Sequence, residues 1–196
     1  MDKSTTKKHP PQVHQLMAGL LPGDHGTELF ANRDTRKVYG ITNGQRQAFH
    51  ELDDYIRNKI TELMFGDPIA MDDLAHLDHE AALEEFAFCL FGAADHEADF
   101  SADGTMSTPE NFLCGDNCKC IRWPSKNITL NGHRLTERQL EICQRLASDD
   151  PDKKIAADLN ISQSTLDIHK KQLFGKAGVN SKAGFVMRAV TDKVIQ

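Results

Sequence analysis

Long apolar runs are missing from this chain. No stretch approaches the roughly 20 apolar residues that a membrane-spanning helix needs, so no bilayer crossing is expected. The opening residues, MDKSTTKKHPPQ, carry charge with no hydrophobic segment behind them. That is the pattern of a polar arm, not of a secretory signal, and a cytoplasmic location is the expectation. Cysteine is scarce: there are five, an odd number, which without an export signal argues for reduced thiols or a metal over a disulfide framework. The zinc-protease pattern His-Glu-x-x-His is missing too. His79-Glu80 and His96-Glu97 each begin it, but Leu83 and Phe100 stand where the second imidazole is needed. The adjacent carboxylates Asp53-Asp54, Asp72-Asp73 and Glu84-Glu85 do not face each other on a helix. They read as solvated faces, and the chain is not expected to be an enzyme.

Positive charge is short overall, with a net charge of −6. The deficit is uneven. Residues 1–132 hold 12 Lys/Arg against 21 Asp/Glu, a net −9, whereas residues 133–196 hold 11 against 8, a net +3. Only the C-terminal part has the sign that phosphate binding requires, and its excess is modest. At 196 residues and 39% hydrophobic the chain has enough apolar material for two small domains.

The C-terminal part reads as four short helices. Thr136 is an N-cap candidate, after which Leu140, Cys143, Leu146 and Ala147 recur at helical spacing. Asp149-Asp150-Pro151 ends that helix. Ile155, Ala156 and Leu159 form the inner face of the second, and Asn160-Ile161-Ser162 is the turn after it. A third helix runs from about Gln163 to Lys176, anchored by Leu166, Leu173 and Phe174, with help from Ile168 or Ala177. Gly178 to Ser181 turn the chain into a fourth.

This run resembles the DNA-binding domain of LuxR-type (GerE-like) transcriptional regulators. The matching residues are Leu135-Thr136-x-Arg138-x-x-Glu141-Ile142, Lys153-x-Ile155-Ala156-x-x-Leu159-x-Ile161-Ser162-x-x-Thr165-Leu166, His169, Lys176, Gly178-Val179 and Ser181-Lys182-Ala183. The resemblance implies a helix-turn-helix whose third helix enters the major groove. Gln163, Ser164, Thr165, Leu166 and Asp167 are then candidates for base edges, and Lys154, His169, Lys170, Lys171 and Lys182 for phosphates or the groove wall. Asp167 departs from the family, which usually has a basic residue there, so no operator sequence carries over. Two sensor domains common in the family find no support. A phosphoacceptor receiver needs alternating strands and helices, and an acyl-homoserine-lactone pocket needs more aromatics than one Trp and two Tyr.

The N-terminal half is expected to be helical. Residues 1–12 read as a disordered arm, and Val13 to Leu21 as a short helix. Residues 27–41 are irregular or weakly helical. Thr42 with Gln45 forms a capping-box pattern, followed by Phe49, Leu52, Ile56, Ile60, Leu63 and Met64, so one long helix over Thr42 to Phe65 is expected. Met71 to Leu77 is a short helix, and a last one starts at Asp78 or His79 and runs to Phe91. Such amphipathic helices need a partner face; an antiparallel pair doubling into a four-helix homodimer supplies one. The fold class expected is therefore all-α. It divides into an arm at 1–12, a helical dimerisation or regulatory module at 13–92, a Cys-containing loop at 93–132 and the helix-turn-helix domain at 133–196.

Within that loop lie Cys114, Cys118 and Cys120, with Trp123 after them. They are candidates for three of the four ligands of a structural zinc, the fourth to come from Cys89, His96 or His133. Free thiols and a redox pair are the alternatives. Cys143 sits on an apolar helix face and reads as a packed thiol. The expected partners are double-stranded DNA, a second copy of the chain and a protein bound by the N-terminal module. The competing reading is an adaptor whose helix-turn-helix docks on another regulator instead of DNA.

Overall fold

The computed structural model describes residues 16–115 and 118–195; the arm at 1–12 and the start of the helix expected from Val13 lie outside them. The order of elements is β1 (Thr27–Asn32), β2 (Lys37–Thr42), β3 (Gln45–Ala48), α1 (Asp54–Phe65), α2 (Pro68–Leu74), α3 (His79–Phe91), β4 (Thr129–Leu130), β5 (His133–Arg134), α4 (Glu137–Leu146), α5 (Asp152–Asp158), α6 (Gln163–Ala177) and α7 (Lys182–Thr191). Two hydrophobic cores form, one from the N-terminal elements and one around α4 to α7.

The all-α expectation is overturned by an antiparallel sheet in the order β1-β2-β3. Thr27 pairs with Thr42 and Asn32 with Lys37; Tyr39 pairs with Ala48 and Thr42 with Gln45. The first turn is held by Asn32, whose side-chain oxygen accepts from the amides of Asp34 and Thr35 at 2.9 Å each. The second turn is Asn43-Gly44, with φ of 53° and 75°. An Asn-Gly pair with both residues at positive φ is the two-residue hairpin turn whose twist matches the flanking strands. Thr42 and Gln45 are thus ladder partners across a turn, not a helix cap.

The long helix expected from Thr42 accordingly starts later. A single 3-10 turn at Phe49–Glu51 follows β3, and Asp53 then caps α1 by accepting from the Tyr55 amide at 2.8 Å. The next helix shifts as well. Asp67 accepts from the Ala70 amide at 2.9 Å, and Pro68 takes the first helical position, where its missing N–H costs nothing. Gly66-Asp67-Pro68 is a stop and a start at once. Leu16 to Leu21 form turns, not a helix. The last N-terminal helix, α3, matches its expected span and is capped by Asp78 on the Ala81 amide.

The apolar stripe that runs from Phe49 through α1 is consumed within one chain. Phe49, Leu52, Ile56, Ile60 and Met64 are buried with Leu29 and Val38 of the sheet and Leu83, Phe86 and Leu90 of α3. The seam that suggested a four-helix dimer has an intramolecular cover. Residues after α3 complete that cover: Phe100, Phe112, Cys114, Cys120 and Trp123 are all buried in the same core. Their backbone is held by specific bonds, since Phe100 pairs with Thr27 and the Glu110 amide donates to Leu90 O at 2.9 Å.

The C-terminal helices begin and end where local chemistry puts them. Thr136 and Gln139 form a reciprocal capping box on α4. Ser162 caps α6 and Ser181 caps α7, each through a backbone amide three residues on. Gly178 closes α6 at φ 68°, a left-handed position that glycine occupies without Cβ strain. A small hairpin, β4-β5, turns at Asn131-Gly132 ahead of these helices and adds Ile128 and Leu130 to their core.

Candidate nucleic-acid interface and cysteine cluster

Helix α6 has two unlike faces. Leu166, Leu173 and Ala177 point inward onto Ile142, Leu146, Ile155 and Phe185, and Phe174 stacks on Phe185 with centroids 5.4 Å apart. Gln163, Ser164, Asp167, Ile168 and Lys171 are exposed, and Thr165 and His169 are half-buried beside them. Leu166 is 0% exposed, so its part is to seat the helix, not to reach a base edge. Ile168, expected to help anchor the helix, is 59% exposed and belongs to the outer face. The N-terminus of α6 is ordered by Ser162, whose hydroxyl lies 2.8 Å from both the Ser164 and Thr165 hydroxyls.

The five basic or imidazole candidates divide by what already holds them. Lys170 pairs with Asp152 at the start of α5 at 2.5 Å, with side chains only 19% and 31% exposed. Lys154 pairs with Asp150 at 2.7 Å, and Lys182 donates to Ser148 O at 2.9 Å. His169 keeps a shielded Nδ1 without a hydrogen-bond partner among the described residues. Lys171 is exposed and makes no ion pair within the described residues. Lys153, exposed on α5 and part of the family pattern, is equally open.

Residues 133–189 match the family described as bacterial regulatory proteins, luxR family (GerE). This segment is a LuxR-family helix-turn-helix domain. Such a domain implies DNA-binding transcriptional regulation. The match does not extend to the N-terminal elements, whose role it leaves unassigned. No curated protein and no solved structure matches the chain. No helix of the described residues is long and apolar enough to cross a membrane.

The second cluster lies in the N-terminal core, outside the LuxR segment. Cys89 in the last turn of α3 meets Cys114, Cys118 and Cys120, with all four sulfurs within 4.8 Å of one another. Cys89 Sγ is 3.7 Å from Cys114 Sγ, which is 3.2 Å from Cys120 Sγ. Four such sulfurs can hold one metal ion. Of the three residues open for the fourth position, the fold brings in Cys89; His133 is exposed on β5, and His96 faces Glu97 at 3.8 Å. Cys114, Cys120 and Cys89 are buried, and Cys118 is half-buried. Hydrogen bonding to Cys114 raises the Cys89 thiol well above its ordinary range, and bonds from Cys114 and Cys120 pull Cys118 well below it. Cys143 stands apart in the other core, where burial pushes its thiol up to about 12; it is a packing group.

One neighbour of the cluster gave no signal in the sequence. Lys126 is 1% exposed, and its ammonium donates to Cys89 O while lying 3.8 Å from the centroid of the Phe112 ring. Burial pushes its pKa down. A lysine enclosed this way needs anionic or π partners; Cys120, Cys114, Cys89 and Glu110 are the groups whose charge would favour its ammonium.

Proposed function

We propose that this chain is a sequence-specific regulator that reads duplex DNA through the outer face of α6. The observation that carries the reading is that face itself. It presents Gln163, Ser164, Thr165, Asp167 and Ile168 together on a helix whose other side is locked in a core. Gln163 suits adenine, Asp167 suits the amino group of cytosine, and Ile168 suits a thymine methyl. Lys171 and Lys153 are open for phosphates, with His169 at the groove wall. Lys154, Lys170 and Lys182 join them only by exchanging their present partners. Leu166 is the pivot beneath.

The modest positive excess of the domain favours two copies per site, because a second copy doubles the phosphate contacts. The N-terminal elements are then the means of pairing copies or of binding a regulatory protein. The four thiols are read as a structural zinc centre. A tetrahedron of zinc–sulfur bonds of about 2.3 Å has sulfurs about 3.8 Å apart, close to the 3.7 Å between Cys89 and Cys114.

The test is selection of the full-length protein on a randomised duplex pool, followed by binding to the winner at several salt concentrations. An enriched motif with affinity falling steeply in salt is expected. Asp167→Ala should relax preference at one base pair by about 1–3 kcal/mol. No enriched sequence, or binding indifferent to salt, defeats the reading.

A further inference from the structure

Residues 111–115 and 118–123 lie between the two cores and send side chains to both. Asn111 turns to the helix-turn-helix domain: its side chain accepts from the Thr129 amide at 2.7 Å, donates to Thr129 O at 2.8 Å and also donates to Asp192 O. Phe112 is buried in the N-terminal core, and Leu113 packs on the other. Cys114, Cys118 and Cys120 face the N-terminal core, and Ile121 again packs on the helix-turn-helix core. Trp123 returns to the first, stacking on Phe86 with centroids 5.4 Å apart and donating to Asp73 at 2.9 Å. Three residues later Lys126 is buried against Cys89 O, and two after that Ile128 opens the second core.

The ends of the strap are fixed by Asn111 and Phe112 on one side and by Trp123 and the Arg122–Asp73 pair on the other; between those ends the thiols are its main tie to the N-terminal core. Among its described residues the one regular feature is the 3-10 turn at Lys119–Arg122. Three of the four sulfurs come from it and the fourth from α3, so a metal among them would fix its inner side to the N-terminal core. The outer side, Asn111, Leu113 and Ile121, carries most of the contact with the DNA-binding domain, and the Lys193–Asp95 ion pair adds a direct link beside it. Four thiolates around a divalent ion leave two net negative charges, and the enclosed Lys126 offsets one of them.

We propose that the metal centre is a latch between the two cores: zinc held by Cys89, Cys114, Cys118 and Cys120 shapes the strap on which the helix-turn-helix domain docks, and its loss frees that domain. The inference rests on the zinc reading above and adds what the zinc controls. The domain itself does not need the ion, because its core contains none of the four ligands.

The test uses the full-length chain with and without a zinc chelator. As purified it should hold one equivalent of zinc, and chelation should make four of the five thiols reactive while Cys143 stays protected. The same treatment should lower amide-exchange protection at Thr129 about tenfold or more, with the exchange pattern of α4 to α7 retained. Cys89→Ser should reproduce the chelated state. Because that variant can fail to fold, the pair Leu113→Ser and Ile121→Ser supplies the converse: zinc kept at one equivalent, Thr129 protection lost. If zinc is bound and released but Thr129 protection does not change, the latch is wrong and the zinc reading stands. If the purified protein carries no zinc and takes up none, or carries iron instead, the zinc reading fails and the latch with it.

Discussion

Lys170 and Lys171 are neighbours in sequence and look interchangeable as phosphate contacts, yet the fold separates them. Lys171 is exposed and unpaired among the described residues. Lys171→Ala should therefore leave stability within about 0.5 kcal/mol and remove one phosphate contact. Each contact contributes a slope of about 0.9 in log affinity against log salt, so over a fourfold rise from 50 to 200 mM salt one contact accounts for about 3.5-fold in affinity. The ratio of wild-type to variant affinity should shrink by that factor across the range, equally for specific and unrelated duplexes. Lys170 instead ties α6 to the start of α5 through Asp152, in a partly screened pair. Lys170→Ala should cost up to about 1 kcal/mol, or roughly 4–8 °C of melting temperature in a domain this small, with a smaller change in salt slope. Fluorescence anisotropy across salt and thermal denaturation of both variants check this. An unchanged slope in Lys171→Ala, or a lost slope with unchanged stability in Lys170→Ala, would refute the assignment.

Leu166→Ala should destabilise the helix-turn-helix core by about 2–5 kcal/mol through an unfilled cavity, enough to unfold much of the domain near 37 °C; denaturant titration reads it, and a variant that melts like wild type but changes base preference would place Leu166 in the groove after all. In the N-terminal core, burial raises Glu28 to about 8 and Glu110 to about 8. The folded state then keeps protons that the unfolded chain releases above its ordinary carboxylate range, so these groups favour folding below about pH 5 and that contribution fades as pH climbs toward 8. Glu28→Gln should flatten the decline in stability between about pH 5 and 8 relative to wild type, and equal slopes would show that Glu28 is ionised in the folded protein.

The helix-turn-helix was legible because its boundaries are written in short-range chemistry. Thr136 with Gln139, Ser162, Ser181 and Gly178 each satisfy or release backbone groups within a few residues, and the apolar spacing between them shows which face goes inward. The sheet was masked by a coincidence of patterns. Thr42 and Gln45 fit a helix cap as well as a hairpin, and with the helical spacing from Phe49 onward they drew the boundary to Thr42, twelve residues before α1 begins at Asp54. Asn43-Gly44 and Asn131-Gly132 were the overlooked signals; both became hairpin turns. In β1 the buried Glu28 breaks the alternation by which a strand is recognised.

From the amino-acid order alone came the family of the C-terminal domain, its four helices, the sign of its charge and the three clustered thiols of one loop. Those features depend on residues a few positions apart, where periodicity and capping act directly. Only the tertiary structure decided that Cys89 completes the cluster across 25 residues, that Lys126 is enclosed beside it, that Lys170 is held and Lys171 is open, and that the stripe of α1 is covered by its own chain. Each depends on which distant surfaces meet when the cores close, and closure is a sum over many weak contacts that no local pattern contains.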